Sequence, residues 1–195
     1  MALVKPVVLE WNGVRLEPLA FEHEAGLRQA VSDGELWRLR VTSAPDPLQT
    51  LAYIERAIEM REEESRFPFA VKDAVTHQII GTTSYHDIIA NIRRVEIGWT
   101  WYAKRYQRTH VNTTSKYLLL RHAFEVMDCS VVGFRTDIEN LRSQQAIERL
   151  GAKRDGVIRR HALRRDGTIR DTVMYSIISE EWMTVKERLE VLLAR

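Results

Sequence analysis

The spacing of apolar residues switches between two and about 3.6 along the chain, and each switch marks an element. "VRLEPL" (14–19) alternates and predicts a strand, and "FEHEAGLRQAVS" (21–32) follows as an amphipathic helix. "SAPDP" at 43–47 breaks the chain before a second helical stretch, "LQTLAYIERAIEMREEESR", in which Leu51, Ile54 and Ile58 recur at helical spacing. "FPFAV" and "QIIGTTSY" then read as strands around a turn at Asp73 to His77. In "RRVEIGWTWY" the alternation predicts Val95, Ile97, Trp99 and Trp101 on one face and Glu96, Gly98, Thr100 and Tyr102 on the other. A helix over about 112–127 puts Leu119, Leu120, Ala123, Phe124, Val126 and Met127 on one stripe. "SVVGFRTDI" (130–138) is a strand, and "RSQQAIERLG" a short helix stopped by Gly151. Asp166-Gly167 signals a two-residue hairpin turn between "VIRRHALRR" and "IRDTVMYSII", and "EEWMTVKERLEVLL" closes the chain as a helix. This order predicts an α/β (α+β) fold with a mixed, mostly antiparallel central sheet flanked by helices, not a regular doubly wound array.

Composition narrows the classes. At 195 residues, 45% hydrophobic and 29% charged, the chain reads as one globular domain, 1–195, with a core over about 13–180 and a C-terminal helix over 180–194. A net charge of +2 does not by itself call for nucleic acid or a membrane. "MALVKPVVLEW" is interrupted by Lys5 and Pro6 and is not a signal peptide; no run of about 18 apolar residues exists, so a cytoplasmic protein is expected. The lone Cys129 excludes an internal disulfide framework, and the histidines lack ligand spacing, so no metal site is expected. Basic residues crowd the segment from Lys153 to Arg170, but no RNA-binding aromatic motif accompanies them, and an acidic protein or peptide partner suits them better than nucleic acid.

Candidate chemistry concentrates in "WYAKRYQRTHVNTTSKYLLLRHAF" (101–124). A helix N-terminus leaves four N–H groups unpaired and carries roughly half a positive charge, so anions bind there. Lys104, Arg105 and Arg108 add charge just upstream; Asn112 suits an N-cap, and Thr113, Thr114 and Ser115 offer hydroxyls. This chemistry fits a phosphorylated ligand, and it equally fits a capped helix behind a solvated basic loop.

"VEIGWTWY" before that loop, the strand-loop-helix itself and "DIENLRSQQAIERLGAKRDGVIR" after it decide between those readings. Together they resemble the GNAT superfamily of acyl-CoA-dependent N-acetyltransferases over about 13–180, and within it the branch of ribosomal-protein N-terminal acetyltransferases. The phosphate loop departs from the family: Gln107 is retained, but Arg108 and His110 stand where glycines are common and Asn112 where Gly or Ala is usual.

The resemblance implies acetyl-CoA as co-substrate and direct transfer to a primary amine, a protein N-terminus or a small amine, in a ternary complex. It implies cofactor contacts at Trp99, Thr100, Trp101, Gln107, Arg108, Thr109, His110, Val111, Asn112, Thr113 and Asn140, with a backbone N–H near Trp99 or Thr100 meeting the thioester oxygen. Glu96 would accept the amine's proton, with His161 as a second base candidate. Ile147 occupies the register of the superfamily's usual tyrosine acid, which leaves Ser143 to protonate the departing sulfur. Trp182 and the last helix could form a surface for a homodimer. A CoA-binding module without turnover and a basic nucleic-acid binder stand as the rival readings.

Overall fold

The computed structural model describes residues 3–194; Met1, Ala2 and Arg195, the ends of the expected 1–195 domain, lie outside the described residues. The strands are β1 (Leu9–Trp11), β2 (Val14–Pro18), β3 (Arg66–Asp73), β4 (Ile79–Ile89), β5 (Arg94–Tyr102), β6 (Val131–Asp137), β7 (Lys153–Leu163) and β8 (Ile169–Ile178). The helices are α1 (Glu24–Ser32), α2 (Thr50–Glu62), α3 (Val111–Glu125), α4 (Leu141–Arg149) and α5 (Trp182–Leu193). The strands make one eight-stranded sheet in the order β1-β2-β3-β4-β5-β6-β8-β7. Every pairing is antiparallel except β5 with β6, which are joined through α3 and run parallel.

Two cores cover the sheet. One side packs Val95, Ile97, Tyr102, Val132, Phe134 and Tyr175 against α3, α4 and α5. The other packs Ala70 and Trp101 against Leu27 and Val31 of α1 and Ile54 and Ala57 of α2. The expected alternation of β5 fails at its end. Thr82 pairs with Trp101 but Ser84 with Gly98, so Thr83 faces both Trp99 and Thr100 in a β-bulge, with Trp99 at φ 51. The extra residue reverses the faces: Trp101 joins the α1/α2 core, and Tyr102 returns to the side of Val95 and Ile97.

Other departures have equally local causes. α3 ends at Glu125, which leaves Val126 71% exposed and off the predicted stripe. Conversely, α3 is buried on all faces from Thr113 to Leu120, because β1, β2, β5, β6 and α5 surround it. The hairpin closes on Arg164 and Thr168, with three residues between them and Gly167 at φ 80. Its residues are those of the longer hairpin loop, in which a glycine takes the left-handed position, not of a two-residue turn. Trp182, expected at a dimer surface, is buried within the chain: it stacks on Phe124 at 5.3 Å and its Nε1 donates to Glu125 Oε1 at 2.9 Å. Among the described residues, no helix is long and apolar enough to cross a membrane.

Candidate active site

The site begins where β5 and β6 part. They pair only at Arg94–Val131, Val95–Val132 and Glu96–Gly133; beyond Glu96 both continue unpaired to each other. The bulge turns the end of β5 away and fixes the mouth of the wedge. A chain of polar contacts holds that bulge: Arg66 donates to Tyr53 Oη at 2.8 Å, Tyr53 Oη bonds Thr82 Oγ1 at 3.0 Å, and Thr82 Oγ1 donates to the Trp99 carbonyl at 3.2 Å. The Arg66 guanidinium also lies 4.4 Å over the Trp99 ring. A cleft of about 1110 Å³ opens from the wedge, walled by Thr100 and Phe134 on the strands, Asn112 and Lys116 on α3, and Ser143 and Ile147 on α4. A smaller, mostly apolar hollow of about 270 Å³ near Val4 and Phe67 contains none of the expected site residues.

At the helix entrance the chain enters α3 one residue earlier than Asn112. His110 is the flanking residue, and Thr109 Oγ1 accepts from the Val111 N–H at 3.3 Å. Asn112 is therefore not the N-cap; it sits in the first turn and faces the cleft. Arg108 has φ 63, the left-handed conformation that glycine adopts freely and a branched or long side chain at a cost of about 1 kcal/mol. His110, at φ −63, needs no glycine, and its ring lies against the Gly13 turn outside the cleft lining. His110 therefore stands clear of the cleft, while Arg108 is an exposed residue of its lining. Gln107 braces the loop, donating through Nε2 to the Tyr102 carbonyl at 2.9 Å and accepting from Arg142 at 2.8 Å. Val111 and Thr113 are buried and offer the cleft no side chain, and with the Val111 N–H bonded to Thr109 only the Thr113 N–H of the two remains for a ligand.

Glu96 is fully buried. Its Oε1 accepts from Arg94 at 2.7 Å and its Oε2 from Arg135 at 2.5 Å, and it does not line the cleft. Burial would raise its pKa, but the two guanidiniums outweigh burial and hold the carboxyl below its ordinary value. A carboxylate so held has little affinity for an amine's proton, which weighs against the expected base role. The space beside Gly98 is taken by His86: a Cβ on Gly98 would fall 2.3 Å from His86 Nε2. Burial and the nearby Arg135 push the His86 imidazole down to about 3, so it is neutral at physiological pH. His161, the second base candidate, is exposed on β7 and does not line the cleft.

Lys116 was not singled out by its sequence pattern, since a lysine between Ser115 and Tyr117 on a helix normally signals a solvated face. Here it is 6% exposed, at the cleft edge of α3. Its Nζ donates to Thr100 Oγ1 at 2.6 Å and Thr83 Oγ1 at 3.2 Å, the hydroxyls on either side of the bulge. No carboxylate pairs with it among the described residues, and desolvation alone pushes its ammonium down to about 7.

On the opposite wall, Asn140 caps α4, its Oδ1 accepting from the Ser143 N–H at 3.1 Å. That leaves the Asn140 Nδ2 and the Ser143 hydroxyl uncommitted at the cleft. The structure thus brings together Trp99, Thr100, Trp101, Gln107, Arg108, Thr109, Asn112, Asn140 and Ser143, and leaves Glu96, His110, Val111 and Thr113 off the lining. Among the described residues no cluster of His, Cys, Asp and Glu has a metal-holding arrangement. Cys129 is buried, and burial pushes its thiol up to about 11.

A model of the acetyltransferase (GNAT) domain matches residues 14–153. A crystal structure described as that of an acetyltransferase from T. thermophilus is 36% identical, with a TM-score of 0.85 and coverage of 97% of this chain and 98% of that one. The uncharacterized N-acetyltransferase YoaA of Bacillus subtilis (strain 168) is 24% identical over 138 residues, 67% of this chain and 77% of that protein. Ribosomal-protein-S5-alanine acetyltransferase from Vibrio fischeri shares the fold at 16% identity, with a TM-score of 0.72 and coverage of 90% and 98%.

Proposed function

The chain belongs to the GNAT family of N-acetyltransferases, and from that premise we propose that it moves the acetyl group of acetyl-CoA directly to a primary amine bound in the same cleft. The observation that carries this reading is the parting of β5 from β6 beside the start of α3, where Arg108, Thr109 and Asn112 line the same cleft. A donor-rich entrance next to a narrow apolar wedge suits a molecule with a diphosphate at one end and a thin amide-bearing arm at the other. The residues present fit it. Arg108, Thr109, Asn112 and the first-turn N–H groups of α3 would hold the diphosphate, and Asn140 Nδ2 an amide of the arm.

When bound, acetyl-CoA supplies an activated acyl carbon and a thiolate leaving group. The chain's own task is to polarise the acyl oxygen, take a proton from the amine and deliver one to sulfur. In our reading the bulge at Trp99 and Thr100 presents the backbone donor. Lys116, both protonated and neutral near pH 7, takes the amine's proton through the Thr100 hydroxyl or water and returns it towards sulfur, assisted by Ser143. The two transfers balance, because the proton lost by nitrogen is the one that sulfur gains. Glu96 acts by holding Arg135 and Arg94 in place.

Two measurements test this. Acetyl-CoA at about 100 times its dissociation constant should add about 2.7 kcal/mol against thermal unfolding, and thiol should be released with at least one class of amine. Protection without release from any amine would support a binding module and refute the transfer. A log kcat profile that is flat across pH 7 would refute the role of Lys116.

A further inference from the structure

Arg135 on β6, Arg170 on β8, and Arg164 and Arg165 in the turn between β7 and β8 all line the cleft, and all but one are spent within the chain. Arg135 is paired with Glu96 and with Asp87 at 2.7 Å. Arg164 is paired with Asp137 at 2.7 Å and Glu139 at 3.1 Å. Arg165 donates to the carbonyls of Trp37 and Ala44. Arg170 differs. It lies two residues from Thr172, the strand partner of Asp137, so its side chain shares the face of Asp137 and Arg135. It lines the cleft, its Nε is buried without a hydrogen-bond partner, and it has no carboxylate in ion-pair distance among the described residues. Asp137 is near enough to stabilise its charge, yet both Asp137 oxygens are held by Arg164, at 2.7 and 3.1 Å. Burial, and then the like charge of Arg135 and Arg164 crowded into the same place, lower the Arg170 pKa, an unusual state for a guanidinium.

A second unmet group on this side points the same way. Trp101, carried to the α2 side by the bulge, lines the cleft with its Nε1 buried and unbonded. Thr172 Oγ1, on the same face as Arg170, is buried and unbonded as well, and all three groups can donate. Buried polar groups are almost always hydrogen-bonded, so unmet donors around a guanidinium ask for a ligand that brings acceptor oxygens and negative charge.

We propose that Arg170 is the recognition point for a carboxylate carried by the acceptor amine, so that the substrate is an amino acid or an acidic peptide rather than a neutral or polycationic amine. This rests on the transfer reading given above and deepens it. The guanidinium fork matches the planar carboxylate, and the Trp101 N–H can take a further oxygen of the same molecule.

The test uses full-length protein, acetyl-CoA and amines in matched pairs: amino acids and their amides, and peptides with aspartate or asparagine after the first residue. Thiol release is followed for each. The acid of at least one pair should exceed its neutral partner by about tenfold or more in kcat/KM. The amino acid pair winning places the carboxylate on a small molecule, and the peptide pair winning places it on a side chain. In Arg170→Met that ratio should collapse towards one, while Arg170→Lys, which keeps the charge and loses the fork, should retain part of it. Undiminished protection by acetyl-CoA shows that the variants are folded. Equal rates for acids and amides in the wild type, or a preference that survives Arg170→Met, overturns the subsite alone. No thiol from any pair overturns the transfer reading and the subsite with it.

Discussion

Lys116→Met should make the protein more stable and less active. The ordinary lysine value of 10.5 holds in the unfolded chain, while burial lowers it to about 7 in the fold. Between those values the unfolded state binds more protons, so stability from this group rises with pH. The penalty is complete below about pH 7 and fades as pH approaches 10.5. At about 1.4 kcal/mol for each pH unit, its full size is on the order of 5 kcal/mol. Methionine nearly matches the lysine stem in volume and carries no charge to desolvate, so most of that penalty disappears. The hydrogen bonds to Thr83 and Thr100 go too, at about 1 kcal/mol each, although those hydroxyls still bond each other at 2.9 Å. A net gain of about 2–3 kcal/mol remains at pH 7, which for a chain of this length raises Tm by roughly 5–10 °C. Thermal unfolding of both proteins at pH 6.5 and pH 10 reads this directly. The gain should be largest at the lower pH and should shrink at the higher one. A variant less stable than wild type at pH 6.5, or a gain that is the same at both, would refute the assignment of a desolvated, unpaired ammonium. A buried cation kept at the expense of stability is the pattern expected of a functional group.

Two further perturbations probe the neighbouring face of the sheet. Gly98→Ala should destabilise by about 1–3 kcal/mol, because the new methyl meets His86 Nε2 at 2.3 Å; a double mutant with His86→Ala should recover most of the loss in urea titrations, and additivity would refute the clash. Glu96→Gln removes the buried anion shared by Arg94 and Arg135, leaving Arg135 only Asp87, and should cost about 3 kcal/mol. The Glu96 pKa is lowered in the fold, so its contribution is present above the unfolded value of 4.5 and lost as pH falls below it. Acid titration of wild type and variant should therefore converge as pH falls below 4.5; curves that stay parallel throughout the acid limb would contradict the ion-pair reading.

Much of the frame was legible along the chain because it is written in local spacing. Alternation located β2 to β6, the helical period located α1 to α5, and the loop at 103–110 between a strand and a helix marked the entrance we propose for an anionic ligand. The residues that resemble the family's lie in that same stretch, which is why the entrance was identifiable despite its missing glycines. What failed was one step removed from local pattern. The single extra residue at Trp99 and Thr100 turned Trp101 and Tyr102 to the opposite faces from those expected, because a bulge is a property of two strands and not of one. Asn112 lost the cap position to His110, two residues earlier, which no periodicity singles out.

The sequence by itself determined the elements and their order, and singled out the helix entrance that we propose meets a negatively charged ligand. Only the tertiary structure decided which charges remain available. Glu96 and Arg135 neutralise each other, while Lys116 and Arg170 have no carboxylate partner among the described residues. Charge pairing and desolvation depend on distances between strands and helices far apart in the chain, and a one-dimensional pattern carries no information about which ion will find its partner already taken.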